Sequence, residues 1–289
     1  LGFDPRAVLE AFGRPDRSTD GNRSDIENAA KAMLDYGREV IRIIAPHVPA
    51  IKINIAFFEP YYAEGIRAYF ALVREASEAG LIVIGDVKRA DIGHSSSQYA
   101  TAQLDGHGHR GVVTPDAVTV NAYFGLDAIA PFVEIARDQG RGIFVLVQTS
   151  NKSAADVQGL ALSDGSTVCE RVGMMVQQWA ADPALVGESG YSCIGAVVSP
   201  RDLPSTDRLR TLMPQCLFLV PGFGAQGRTA NEVARCFKSD GTGAIVTASR
   251  SVIYAYQNTE SDDKGDWKRC IDQACRDLVC AIREVVPNA

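Results

Sequence analysis

The sequence predicts an α/β protein and, within that class, a (β/α)8 TIM barrel. Eight short apolar runs rich in β-branched residues recur along the 289 residues, and helical patterns separate them. Strand–helix alternation of this kind builds a parallel sheet, and a count of eight favours closure into a barrel. A barrel of roughly 250 residues is one domain, so residues 1–289 are expected to form a single one.

The first candidate strand, residues 1–4, is Leu1-Gly2-Phe3-Asp4. The chain opens inside it without a methionine, so a few residues are expected to precede it. A helix follows over residues 25–45. The second strand, 51–56, alternates as Ile51-Lys52-Ile53-Asn54-Ile55 and leads to a helix at 61–78. The third, 81–88, starts as the continuous run Leu81-Ile82-Val83-Ile84, which reads as a buried parallel strand. A helix at 95–103 returns the chain to a strand at 117–121. Helices at 126–139, 168–181, 206–212 and 229–237 then alternate with strands at 143–148, 192–198, 216–220 and 244–248. A last helix, 266–284, closes the chain. The competing arrangement is an open doubly wound sheet. It calls for G-x-G-x-x-G after the first strand, and Gly2-Phe3-Asp4-Pro5-Arg6 is not that.

Composition narrows the function. The net charge is −6 with no basic block, which speaks against a nucleic-acid partner. No apolar run approaches the roughly 18 residues of a membrane span, and no signal peptide is visible. The seven cysteines (169, 193, 216, 236, 270, 275 and 280) are odd in number and form no C-x-x-C pair. They read as the reduced thiols of a cytoplasmic protein. His107-Gly108-His109, with His94 not far away, invites a metal reading. The pair falls in a helix-to-strand loop, on the face of a barrel opposite its active site, where a solvated loop is the simpler account. No other spacing resembles a metal motif, so no metal is expected.

Chemistry in a barrel sits at the C-terminal ends of the strands. Polar residues gather there: Asp4, then Lys52 and Asn54, then Asp86, Lys88 and Asp91, then Asn121, then Gln148, Thr149, Ser150 and Asn151. The period of a strand places Asp86 and Lys88 on one face. Charges at the end of a buried strand are costly to desolvate unless paired, and Lys52 on the adjacent strand is the expected partner of Asp86. The alternating array Lys52-Asp86-Lys88-Asp91 can hold a lysine charged and aim its proton at a fixed point. The same charges also fit a salt-bridge network that plugs a barrel. Further on, Pro221-Gly222-Phe223-Gly224-Ala225-Gln226-Gly227 follows the seventh strand and Ser249-Arg250 the eighth. Glycines that expose backbone N–H groups, with an arginine nearby, read as an anion site suited to phosphate. A mobile lid carrying Gln226, or an ordinary glycine-containing loop, also fits.

These residues resemble the orotidine 5′-phosphate decarboxylase family. Asp86, Lys88 and Asp91 carry its D-x-K-x-x-D signature, which related phosphosugar decarboxylases and aldolases share. Gly2-Phe3-Asp4-Pro5, the segment from Lys52 to Glu59, Thr119-Val120-Asn121-Ala122-Tyr123, Thr149-Ser150-Asn151, the glycine loop and Ser249-Arg250 extend the match over nearly the whole chain. It looks most like the longer bacterial branch, and departs at Ile53 and Ala122, where the family often has proline. The resemblance implies decarboxylation of orotidine 5′-monophosphate to UMP, with Lys88 protonating C6 and Asp86 lying against the substrate carboxylate. Lys52 would bridge Asp86 and the ribose. Asp91 would act from the partner subunit of a homodimer with shared sites, and Ser95 would reach a ribose hydroxyl of that neighbouring site. Asp4 would bind another ribose hydroxyl, Ser150 the pyrimidine, and Gln226 and Arg250 the phosphate. Asn121 completes the substrate-binding set. The resemblance implies neither a metal nor an organic cofactor. A phosphosugar decarboxylase or aldolase on the same barrel, or a catalytically silent nucleotide-binding barrel, are the alternative readings.

Overall fold

Seven strands lie among the residues described by the computed structural model, which are residue 8 and residues 23–107, 111–224, 227–258 and 266–286. They are β1 (Ala50–Asn54), β2 (Ile82–Arg89), β3 (Ala117–Val120), β4 (Gly142–Gln148), β5 (Ile194–Val198), β6 (Phe218–Val220) and β7 (Ala244–Val246). They follow one another through a single sheet in chain order. The pairings β1–β2, β3–β4, β4–β5, β5–β6 and β6–β7 are parallel. Parallel neighbours need a crossover, and helices supply it. In chain order they are α1 (Arg23–Ile44), α2 (Tyr62–Glu78), α3 (Gly93–Leu104), α4 (Leu126–Gln139), α5 (Ala155–Gln158), α6 (Val168–Ala180), α7 (Leu203–Leu212), α8 (Ala230–Ala234), α9 (Arg250–Ile253) and α10 (Trp267–Val285). This is the repeat of the TIM-barrel class. The strand expected at residues 1–4 lies outside the described residues.

The chain divides into two compact units. The first comprises Leu1–Val87, Gly106–Asp116 and Ser249–Val279. In it α1 lies against α2, and Met33, Tyr36, Val40, Tyr69, Leu72 and Val73 on the two helices are fully buried. Each such side chain contributes about 1.5–3 kcal/mol of burial free energy. Tyr36 stacks on Trp267 with ring centroids 5.1 Å apart and donates its hydroxyl to the Ile253 carbonyl. His47 meets the Asp272 carboxylate at 2.7 Å, tying the end of α1 to α10. Gly85 is required by close packing: a Cβ there would stand 2.8 Å from both Pro115 Cγ and the Tyr69 hydroxyl. That contact fixes the backbone immediately before Asp86.

The second unit comprises Lys88–Asp105, Ala117–Ala248 and Cys280–Ala289. All four residues of β3 and all five of β5 are buried, so neither strand shows an alternating pattern in the sequence. Helices α6 and α8 both start on a Thr-x-x-Glu capping box, Thr167 with Glu170 and Thr229 with Glu232. Arg210 is a half-buried cation that organises a whole corner. It donates to the carbonyls of Met213, Cys216, Gly243 and Cys236 and lies 3.8 Å over the Phe218 ring.

Where boundaries differ from the sequence reading, local chemistry explains it. The strand read as 51–56 ends at Asn54, because the Asn54 side chain accepts the Ala56 amide at 3.0 Å and turns the chain into a 3-10 helix. The strands read as 192–198, 216–220 and 244–248 are shorter, since apolar residues continue past those that pair. Helices α5 and α9 were not foreseen: four residues are too few for a helical period to show. Among the described residues no helix is long and apolar enough to cross a membrane.

Candidate active site

In the first unit, the parallel register sets Asn54 of β1 opposite Asp86 of β2, with Lys52 two residues before Asn54. Lys52 Nζ donates to Asp86 Oδ2 at 2.9 Å, as the charge pattern led one to expect. The two side chains are only 16% and 8% exposed, so this is a pair withdrawn from water rather than a surface contact. Arg250, in the same unit, is exposed and opens α9.

In the second unit, Lys88 is the next-to-last residue of β2 and is exposed, although Asp86 two residues earlier is buried. Simple alternation would give the two the same environment. The difference accompanies a backbone change: Lys88 has φ +46°, in the left-handed region. Its N–H donates to Thr119 Oγ1 at 3.0 Å, and the next carbonyl, that of Arg89, accepts the Asn121 amide at 3.0 Å. Asp91 follows the strand, its Oδ1 accepting the Ile92 amide at 2.8 Å just before α3. Ser95 lies exposed in the first turn of α3, whereas its neighbour Ser96 is buried and donates to the Ala128 carbonyl. Asn121 Oδ1 accepts the Tyr123 amide at 3.0 Å, shaping the loop after β3.

Ser150 is half-buried at the end of β4, in a turn held on both sides. Before it, a register shift in β4 precedes Gln148, whose buried amide reaches the Ser199 carbonyl at 2.7 Å and accepts from Ser205 at 3.1 Å. Gln158 grips the adjacent Thr149: its Oε1 accepts the Thr149 N–H at 3.0 Å, and its Nε2 donates to Thr149 Oγ1 at 2.7 Å. After β6, Gly222, Gly224 and Gly227 have φ of +100°, +71° and +77°. Only glycine adopts such angles freely, which accounts for their recurrence in this loop. Gly224 N–H meets the Arg228 carbonyl at 3.2 Å, closing the loop at its base.

Asp4 and Gln226 lie outside the described residues, as does His109. Thr119 and Gln158 were missed in the sequence. A lone hydroxyl inside Ala117-Val118-Thr119-Val120 was the available signal for the first, and nothing marked the second. Burial pushes the Cys169 and Cys275 thiols up to about 11 and those of Cys216 and Cys236 up to about 12. Thiols so far above neutrality are poor nucleophiles. All seven cysteines are free, and among the described residues no three His, Cys, Asp or Glu side chains are grouped to hold a metal.

Parallel strands in chain order, returned by helices and carrying acids and amines at their C-terminal ends, define an enzyme of the TIM-barrel class. Comparisons with known proteins specify it further. The family model described as orotidine 5′-phosphate decarboxylase / HUMPS family matches residues 25–262. An orotidine 5′-phosphate decarboxylase of Rhodopirellula baltica is 36% identical, over 95% of this chain and 90% of its own. One from Caldicellulosiruptor saccharolyticus is 37% identical, over 86% and 81%. The solved OMP decarboxylase of Leishmania donovani superposes with a TM-score of 0.70 at 27% identity, over 90% of each chain. The chain belongs to the orotidine 5′-phosphate decarboxylase / HUMPS family and is an enzyme, a carboxy-lyase.

Proposed function

We propose that this enzyme converts orotidine 5′-monophosphate to UMP and CO2, the last step of UMP synthesis, with Lys88 delivering the proton. The observation that carries the reading is the buried Lys52–Asp86 pair, at 2.9 Å, on the strand that continues into Lys88. The C6–carboxylate bond breaks, its electron pair stays on C6, and CO2 departs. The pair then takes a proton from the Lys88 ammonium, which solvent restores. No conventional electron sink exists for the carbanion, so the enzyme must lower the barrier by roughly 20 kcal/mol, near the top of the known range. A preorganised ammonium beside the developing charge supplies part of that. Asp86 crowds the departing carboxylate and keeps the lysines charged, and Lys52 links Asp86 to the ribose.

The remaining roles follow the family pattern. Asp4 binds a ribose hydroxyl, Asn121 contacts the nucleotide, and Ser150 hydrogen-bonds the pyrimidine. Gln226 and Arg250 hold the phosphate, whose binding energy is used far from the reacting carbon. Asp91 and Ser95 serve the site of a second subunit in a homodimer. Support for that comes from apolar residues left exposed beside them, Ile92 at 59%, and on the loop after β3, Tyr123 at 85% and Phe124 at 53%. An exposed apolar surface of this kind fits an interface better than solvent. Neither metal nor organic cofactor takes part, and the enzyme works in the cytoplasm.

Turnover of orotidylate, followed by its absorbance, tests the reading. It should persist in chelator and vanish in Lys88→Ala. Full activity of Lys88→Ala would remove Lys88 from its role. Loss of turnover in chelator would favour a metal-dependent sister reaction, and tight UMP binding without CO2 release a silent nucleotide-binding barrel.

A further inference from the structure

The geometry points to Thr119 as the positioning residue that sets the backbone of Lys88, an inference that rests on the protonating role proposed above. Among the described residues only two non-glycine residues have positive φ. Tyr62 starts a helix, but Lys88 lies within a strand. A left-handed residue other than glycine is strained and persists only where its surroundings impose it. At Lys88 two backbone contacts come from one short stretch of chain. In a regular ladder the Lys88 N–H would reach a carbonyl on the neighbouring strand. Here it donates to the Thr119 hydroxyl oxygen at 3.0 Å. One residue on, the Arg89 carbonyl takes the Asn121 amide at 3.0 Å, so main-chain pairing resumes at once.

The hydroxyl therefore lets the strand depart from its regular twist at a single residue without orphaning a backbone donor. Thr119 is well suited to this. It is 1% exposed, so water does not compete for its oxygen, and its β-branched side chain is stiff about χ1. The consequence falls on the lysine. A regular strand would give Lys88 the same face and burial as Asp86. The left-handed turn breaks that alternation, and Lys88 is exposed where Asp86 is buried. Thr119 acts on the reaction only through Lys88 and touches no reacting atom.

The test compares Thr119→Val, which keeps the shape and loses the acceptor, with Thr119→Ser, which keeps the acceptor. Thr119→Val should lower kcat roughly 10- to 100-fold, the usual penalty for an unsatisfied buried donor. KM for orotidylate and the Kd of UMP should change less than about threefold, because binding rests mainly on the phosphate. Thr119→Ser should recover kcat to within about threefold of the parent, since its hydroxyl is still an acceptor. Amide hydrogen exchange at Lys88 should quicken in Thr119→Val and not in Thr119→Ser. Should Thr119→Val not fold, Thr119→Cys takes its place; its weakly accepting sulfur should give an intermediate loss of kcat. Parental kcat in Thr119→Val, or in Thr119→Cys, would overturn the inference while Lys88→Ala stays inactive. An equal fall in kcat for Thr119→Ser and Thr119→Val would overturn it as well. An active Lys88→Ala would instead strike the proposed reaction role itself.

Discussion

Removing the amine from the Lys52–Asp86 pair should unfold the protein more readily than any comparable surface change. In Lys52→Met the Asp86 carboxylate, 8% exposed, loses an ammonium that now stands 2.9 Å away. Breaking one side of a buried pair costs about 3–5 kcal/mol, because the remaining charge stays desolvated. For a chain of 289 residues that is roughly 5–8 °C in Tm, read by calorimetry. Replacing both partners, Lys52→Met with Asp86→Leu, should recover most of the loss, since an apolar pair of similar volume is often neutral or better. Activity should not return with stability if Asp86 lies against the substrate carboxylate, as proposed. The two readouts thus separate a structural plug from a working array. A Tm change below about 2 °C in Lys52→Met would show the pair to be solvated, in the range of a surface ion pair, and would refute the reasoning. A double variant both stable and fully active would leave the pair a purely structural role.

Three further outcomes follow. In the proposed homodimer, Asp86→Asn and Asp91→Asn, each inactive alone, should regain about a quarter of parental activity when their subunits are exchanged at equal ratio, because half of the dimers would be hybrids with one intact shared site; no recovery after demonstrated exchange would place Asp91 in its own subunit's site. Arg210→Met should lower stability by about 3 kcal/mol or more by leaving carbonyls unpaired, with kcat of the folded fraction unchanged, and a lysine should not substitute for the planar fork. Burial pushes the Glu170 carboxyl up, but hydrogen bonds from Arg208 and Thr167 outweigh it and hold the group below the ordinary glutamate range. Its contribution is therefore full above about pH 4.3 and fades as pH falls through the folded-state value, so Glu170→Gln should flatten the acid limb of a stability–pH curve.

Much of this was legible in the chain because parallel strands are short, apolar and β-branched, and their period needs only neighbours to read. The Lys52–Asp86 pair was legible too, although 34 residues separate its members, because adjacent strands bring their polar ends together and a buried charge demands a partner. The four-residue helices α5 and α9 were not, since a period cannot show in one turn. Gln158 gave no sign because its grip on Thr149 is made by the last residue of the four-residue helix α5 folding back, not by a repeating pattern.

The sequence by itself determined the strand–helix alternation, the residues gathered at strand ends and, through D-x-K-x-x-D and its companion segments, the family. Local pattern and side-chain chemistry suffice for those. Only the tertiary structure decided the environment of Lys88. Period two would set it beside Asp86, but a hydroxyl 31 residues away, on the next strand, takes its N–H and holds the backbone left-handed. A single dihedral imposed by a distant partner leaves no trace in local propensity, because propensity depends on near neighbours and the partner is 31 residues away.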